Sequence, residues 1–266
     1  MIDWGKTKFR ASSWGNLMTE PRSKSEGQLS KTCQKELIKI YNWVKYGRKK
    51  QIVTRQMIKG IKCEPEAITL FSRVEKKLFI KNEIQLENDT KTGHPDIFEG
   101  EDIRTATEIH DIKNSWELDT FSPKAVEELD ATYDYQLQTY FDLVPTAKEG
   151  SIAYCLVDAP DELIQDELKR LQFDMNIIWD QDPAYLVAAA EIVKNMTFGD
   201  IPFEECVIKI PVARDDAKIA KMNAKVPLLR DWLTWFADLR MNGRKIISIP
   251  TPALNLNDIP LIKIKK

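Results

Sequence analysis

A chain of 266 residues with 43% hydrophobic and 30% charged residues can bury a large core and has the composition of an ordinary globular protein. No apolar run reaches the ~18 residues of a membrane span, and Met1-Ile2-Asp3-Trp4 lacks the basic-then-apolar pattern of a leader. Cys33, Cys63, Cys155 and Cys206 are scattered without a Cys-x-x-Cys pair, which argues against zinc or iron–sulfur chemistry and for free thiols in a reducing cytoplasm.

The net charge of −2 hides a strong asymmetry. Residues 1–60 hold 14 Lys+Arg against 4 Asp+Glu, whereas residues 85–135 hold 14 Asp+Glu against 4 Lys+Arg. A basic N-terminal third suits a phosphate track, and an acidic middle suits the gathering of metal ions.

In chain order, Ser12 or Ser13 reads as the N-cap of a short helix through Leu17-Met18, with Arg10 just outside an amide-rich end suited to phosphate. Leu29 to Tyr46 has helical spacing, with Leu37, Ile38, Ile40, Tyr41 and Val44 as its apolar stripe. A second helix runs from about Thr54 to Lys77. Pro65 kinks it or starts a fresh segment, with Glu64 beside the break and Ala67, Ile68, Leu70, Phe71 and Val74 inward. From about Lys81 the pattern becomes extended: Glu83 to Glu87 alternates with period two, and Thr92 to Phe98 and Ile103 to Lys113 read as two more strands. Ala125 to Val144 reads as a helix, placing Gln136 and Tyr140 on one face. Ser151 to Val157 has the near-continuous apolar run of a central strand. Helices follow after Asp158-Ala159-Pro160-Asp161 and over Pro183 to Met196, then a strand over Cys206 to Ile210. A long tryptophan-bearing helix covers Asp215 to Arg240, and 246–266 reads as a tail.

The chemistry concentrates in Gly93-His94-Pro95-Asp96 and Asp111-Ile112-Lys113. On a strand, Asp111 and Lys113 leave the same face while Ile112 points into a core. Asp96 is fifteen residues earlier, far enough for the chain to turn and run back alongside. Two carboxylates with open water positions suit magnesium or manganese, and a neighbouring lysine can hold or activate a water. The set suits metal-assisted phosphodiester hydrolysis. An acidic-x-Lys triplet alone is common on solvated strands; the flanking residues and Pro95 give this one its setting.

Taken in order, Arg10-Ala11-Ser12, Glu64, His94-Pro95-Asp96, Asp111-Ile112-Lys113 and Gln136-x-x-x-Tyr140 resemble the PD-(D/E)XK nuclease superfamily, and within it the lambda-exonuclease and YqaJ-like viral recombination nucleases. The resemblance extends to about Arg240. It implies an α/β fold, a mixed central β-sheet flanked by helices in a restriction-endonuclease-like core. It further implies one nuclease domain over 1–245 whose helical N-terminal part contacts DNA. Asp96, Asp111 and the Ile112 carbonyl would bind Mg²⁺ or Mn²⁺, two ions per site, with Glu64 completing the second. Lys113 would position or activate the water and Gln136 would orient it, with Tyr140 on the DNA-binding side. Arg10 and Ser12 would hold a 5′-phosphate. The shorter Asp111, where the lambda enzyme has Glu, keeps a one-metal site open.

The implied activity is 5′ to 3′ degradation of one strand of linear duplex DNA, leaving a 3′ single strand for recombination by annealing. Implied partners are duplex ends, a single-strand annealing protein and two further copies in a trimeric ring, with no membrane; the setting would be the host cytoplasm for a phage-encoded protein. The alternatives are an endonuclease of the same superfamily, such as a junction resolvase or restriction enzyme, and a non-catalytic DNA-binding scaffold.

Overall fold

Strand formation around the Asp-Ile-Lys triplet follows from its alternating neighbours, and it organises the larger part of the molecule. The structure, a computed structural model, describes residues 2–23, 27–49, 54–177 and 181–242. Their contacts divide into two compact units, one comprising the described residues of 1–7, 16–49 and 221–242, the other those of 8–15 and 54–220.

The larger unit carries two mixed sheets. Strands β1 (Phe9–Arg10), β2 (Leu86–Glu87) and β3 (Lys91–Gly93) form one in the order β1-β3-β2, with β1 parallel and β2 antiparallel to β3. Strands β4 (Ile97–Glu99), β5 (Glu108–Asn114), β6 (Glu149–Cys155) and β7 (Val207–Ala213) form the other in that order. Its central pair, β5 and β6, is parallel and both outer pairings are antiparallel. Helices flank these sheets, so the α/β expectation holds, with two sheets.

Period-two alternation divides β5 between two cores. Ile109 belongs to a cluster with Leu137, Tyr140 and Phe141 of α6 (Ala131–Leu143). Ile112 belongs to a cluster with Ala67, Ile68 and Phe71 of α4 (Glu64–Glu75). Asp111 and Lys113 therefore lie on the α6 side. Gly150 lets β6 come this close: a Cβ there would stand 2.1 Å from the Ile109 carbonyl oxygen.

Several boundaries differ from the sequence reading. Residues 11–13 are a 3-10 turn continuing into a single-turn helix, α1 (Trp14–Leu17). Ser12 and Ser13 lie inside the turn, and its N-cap, Arg10, makes no side-chain capping bond. The segment 54–77 is two helices, α3 (Arg55–Lys62) and α4, because Pro65 occupies the first turn of α4, where its missing N–H costs nothing. Residues 92–98 are not one strand. Pro95 cannot donate to a ladder, and the chain passes there from β3 in one sheet to β4 in the other. Ile103–Thr105 is a 3-10 turn before β5, and α6 begins at Ala131, where the Asp130 side chain accepts the Thr132 N–H. Its approach is a short helix, α5 (Leu118–Phe121), and a 3-10 turn, Ser122–Ala125. Beyond β6 come α7 (Asp161–Asp174) and α8 (Pro183–Met196), the latter with the predicted bounds.

The smaller unit is built on α2 (Lys31–Tyr46) and the later residues of α9 (Asp216–Asn242). Ser30 caps α2 by accepting the Cys33 N–H at 3.0 Å, and Gly47 ends it in the left-handed region at φ 62°. Tyr41 stacks on Trp4 at 5.0 Å and meets Phe236 edge-on at 5.0 Å; Phe236 stacks on Trp232 at 5.1 Å. Ile38 and Val44, expected in the α2 stripe, are half-buried and exposed, because Cys33 and Glu36 take part of the inward face instead. The predicted tail, 246–266, lies outside the described residues.

Candidate active site

Strands β4 and β5 separate where their sequences become acidic. Their last matched pair is Ile97 with His110, and continuing that register by one residue sets Asp96 across from Asp111. The ladder ends there, and the Asp96 carboxylate replaces it, accepting the Ile112 N–H at 2.7 Å. Asn82, 2% exposed, clasps the approach. Its backbone N–H donates to the Asp96 carbonyl at 2.8 Å, and its side-chain amide donates to the Pro95 and Ile84 carbonyls, both at 2.9 Å. Sequence reasoning missed Asn82; only its inward place in the 82, 84, 86 alternation hints at it.

On the α6 side, Asp111 is 1% exposed. Its Oδ2 is ion-paired with Lys113, two residues along the same strand face. Its Oδ1 accepts from Gln136 Nε2 at 2.7 Å, and that nitrogen also lies 2.8 Å from the Tyr140 hydroxyl. Tyr140 in turn donates to the His94 carbonyl at 3.3 Å. The spacing of Gln136 and Tyr140 thus makes a buried relay from the His94 loop to Asp111. Gly93 leaves room for it, since a Cβ there would come within 2.8 Å of the Tyr140 ring. Tyr140 is buried, so it supports Gln136 from behind and offers no surface for DNA.

The electrostatics follow from two carboxylates in little solvent. Burial, followed by the charge of Asp111, pushes Asp96 up to about 8. For Lys113, burial alone would lower the pKa, but Asp111 and Asp96 outweigh it and the net shift is upward. Lys113 is therefore an ammonium that can donate a hydrogen bond and cannot accept a proton. Its nitrogen lies 4.9 Å from the centre of the Tyr133 ring. Burial, then the same two carboxylates, raises Tyr140 well above the usual phenol value.

Glu64 opens α4 and pairs with Lys81 at 2.8 Å; its charge adds to the upward pressure on Asp96. Arg10 and Ser12 are exposed, on β1 and the turn after it, in the same compact unit. Among the described residues no cluster of three or more His, Cys, Asp or Glu side chains is arranged to hold a metal ion, and Glu64 is turned to Lys81. Two opposed carboxylates, one driven toward protonation by burial and then by the other, nevertheless fit a hard cation. Such a cation needs few protein ligands, keeps several waters, and relieves the repulsion that raises Asp96.

No sequence profile of a known protein family matches the chain, and none of the curated proteins compared with it matches in sequence. Solved structures do match in fold. A phage-related exonuclease from Haemophilus somnus superposes with a TM-score of 0.66 at 22% identity, over 88% of this chain and 97% of its own. The chain shares an exonuclease fold. An alkaline exonuclease from Laribacter hongkongensis superposes with a TM-score of 0.56 at 14% identity, over 91% of this chain and 94% of its own. The same enzyme in complex with dAMP gives 0.57 at 15% identity, over 90% and 95%. The mixed α/β fold of this chain is therefore one it shares with these exonucleases. Among the described residues no helix is long and apolar enough to cross a membrane, and all four cysteines are free and buried.

Proposed function

We propose that the chain is a divalent-cation-dependent deoxyribonuclease of the viral recombination exonuclease family. It degrades one strand of linear duplex DNA from the 5′ end and leaves a 3′ single strand for an annealing partner. The observation that carries this reading is the meeting of Asp96, Asp111 and Lys113 where β4 and β5 part, with Asp96 driven upward by burial and then by the charge of Asp111. The likeness of fold to phage-related and alkaline exonucleases supports it.

Asp96, Asp111 and the Ile112 carbonyl would hold Mg²⁺ or Mn²⁺, and Glu64, released from Lys81, would serve a second ion. When bound, such a cation supplies positive charge against phosphate oxygens and lowers the pKa of a bound water. Lys113, held as an ammonium, would donate to the attacking water or to a phosphate oxygen and so steady the charge that develops there. Gln136 fixes the Asp111 carboxylate and orients the nucleophile's surroundings. Arg10 and Ser12 would receive the 5′-phosphate.

Purified protein is incubated with Mg²⁺ and end-labelled linear duplex, 5′-phosphorylated or 5′-hydroxyl, beside a closed circle. Loss of the linear DNA alone, faster with the phosphate, is the expected result. A cut circle would replace the exonuclease with an endonuclease, and no cleavage of either would leave a DNA-binding scaffold.

A further inference from the structure

Beside Lys113 is a cavity of about 380 Å³ lined by Tyr133, Tyr154, Lys124, Glu127, Glu128 and Asp130. Its size falls in the ~300–1,000 Å³ range of small-ligand pockets. Tyr133 joins it to the candidate active site, because the Lys113 ammonium lies over that ring. Tyr154 stands directly across the β5–β6 ladder from Lys113. The two rings meet edge to face with centroids 6.3 Å apart. Among the described residues neither phenol hydroxyl has a hydrogen-bond partner.

The charge of the lining separates this cavity from a phosphate track. Three carboxylates face one ammonium, and that ammonium, Lys124, is paired with Glu127 and lies 5.7 Å from the centre of the Tyr154 ring. Such a lining repels a phosphate, whereas tyrosine rings and unspent polar groups accommodate a neutral, planar heterocycle. Every nucleobase presents a face that can stack on an aromatic ring, so such a platform is tolerant of sequence.

We propose that this cavity receives the nucleobase adjoining the scissile phosphate, with the half-exposed Tyr133 as its stacking surface and the buried Tyr154 ring holding Tyr133 edge to face, while the phosphate lies toward Lys113 and Asp111. The proposal rests on the nuclease reading for its substrate, but it is tested by binding alone. The four deoxynucleoside 5′-monophosphates and deoxyribose 5-phosphate, which has no base, are titrated into the full chain with Mg²⁺ and followed by calorimetry. The nucleotides bind roughly tenfold or more tightly than the sugar phosphate. Tyr133→Leu removes that advantage and leaves the affinity for the sugar phosphate as it was, which a general loss of structure would not do. Equal affinity for all five ligands, or an undiminished base advantage in Tyr133→Leu, overturns the proposal. A protein that binds the base in this way yet hydrolyses no DNA overturns the nuclease reading and leaves the pocket standing.

Discussion

Asp96 makes the first prediction a matter of sign. Its folded value is raised from 3.8 to about 8 by burial and then by Asp111. An unfolded chain releases that proton near pH 4, whereas the folded, cation-free protein keeps it until near pH 8. The group therefore contributes stability that is complete below about pH 4 and lost as pH rises toward 8. Measured in chelator, the wild-type Tm should fall across this window relative to Asp96→Asn, which has no charge to bury. Adding Mg²⁺ or Mn²⁺ should raise the wild-type Tm most near pH 8 and that of Asp96→Asn much less. A wild-type advantage in chelator at pH 8 would contradict the assignment. Lys113 allows a second prediction. On the proposed reading Lys113→Met removes a donor at the reacting phosphate, so kcat should fall about 100- to 1,000-fold, with duplex affinity changed little when measured by fluorescence anisotropy. Retained turnover would remove Lys113 from the chemistry.

At the level of elements, the site depends on how closely β5 is held by α6 and β6. Gly150→Ala sets a Cβ against the backbone of Ile109, which a side-chain rotation cannot relieve. Its destabilisation should reach the upper end of the ~1–3 kcal/mol usual for overpacking, read from urea unfolding. Tyr140→Phe tests the α6 relay more gently. It deletes the hydroxyl between Gln136 and the His94 carbonyl and should cost about 0.5–1.5 kcal/mol, with a lower kcat as Asp111 loses its orientation. Much of this was legible in the sequence. The Asp-x-Lys alternation placed both charges on one face, and the residues around Pro183 and Met196 bounded their helix. What could not be read was which sheet a strand joins: Lys91–Gly93 and Ile97–Glu99 look continuous until Pro95 is seen to carry the chain between sheets. Asn82 and the inward role of Tyr140 were equally hidden. Both depend on burial by segments distant in sequence, and the i, i+4 spacing of Gln136 and Tyr140 fixes a shared face without saying what covers it.

For the whole molecule, the question is what one chain can do alone. Asp96, Asp111, Lys113, Gln136, Glu64 and the Arg10–Ser12 segment all come from the described residues of 8–15 and 54–220. One copy therefore carries every group in the proposed chemistry, and on that reading hydrolysis of a single phosphodiester would need no partner subunit. Remaining on the same DNA from one cleavage to the next is a different requirement, and it is the one a trimeric ring would meet by enclosing the duplex. These two properties should separate on dilution. Light scattering at working concentration should give three times the 30.7 kDa chain mass, and a trap of excess unlabelled duplex should then leave long tracts degraded per encounter. Below the association midpoint the mass should fall and the tracts should shorten together, while the rate of the first cleavage per bound end stays unchanged. A chain that is monomeric throughout yet degrades long tracts in the presence of the trap would remove the ring from the account, and processivity would have to come from the grip of a single chain on its 5′-phosphate.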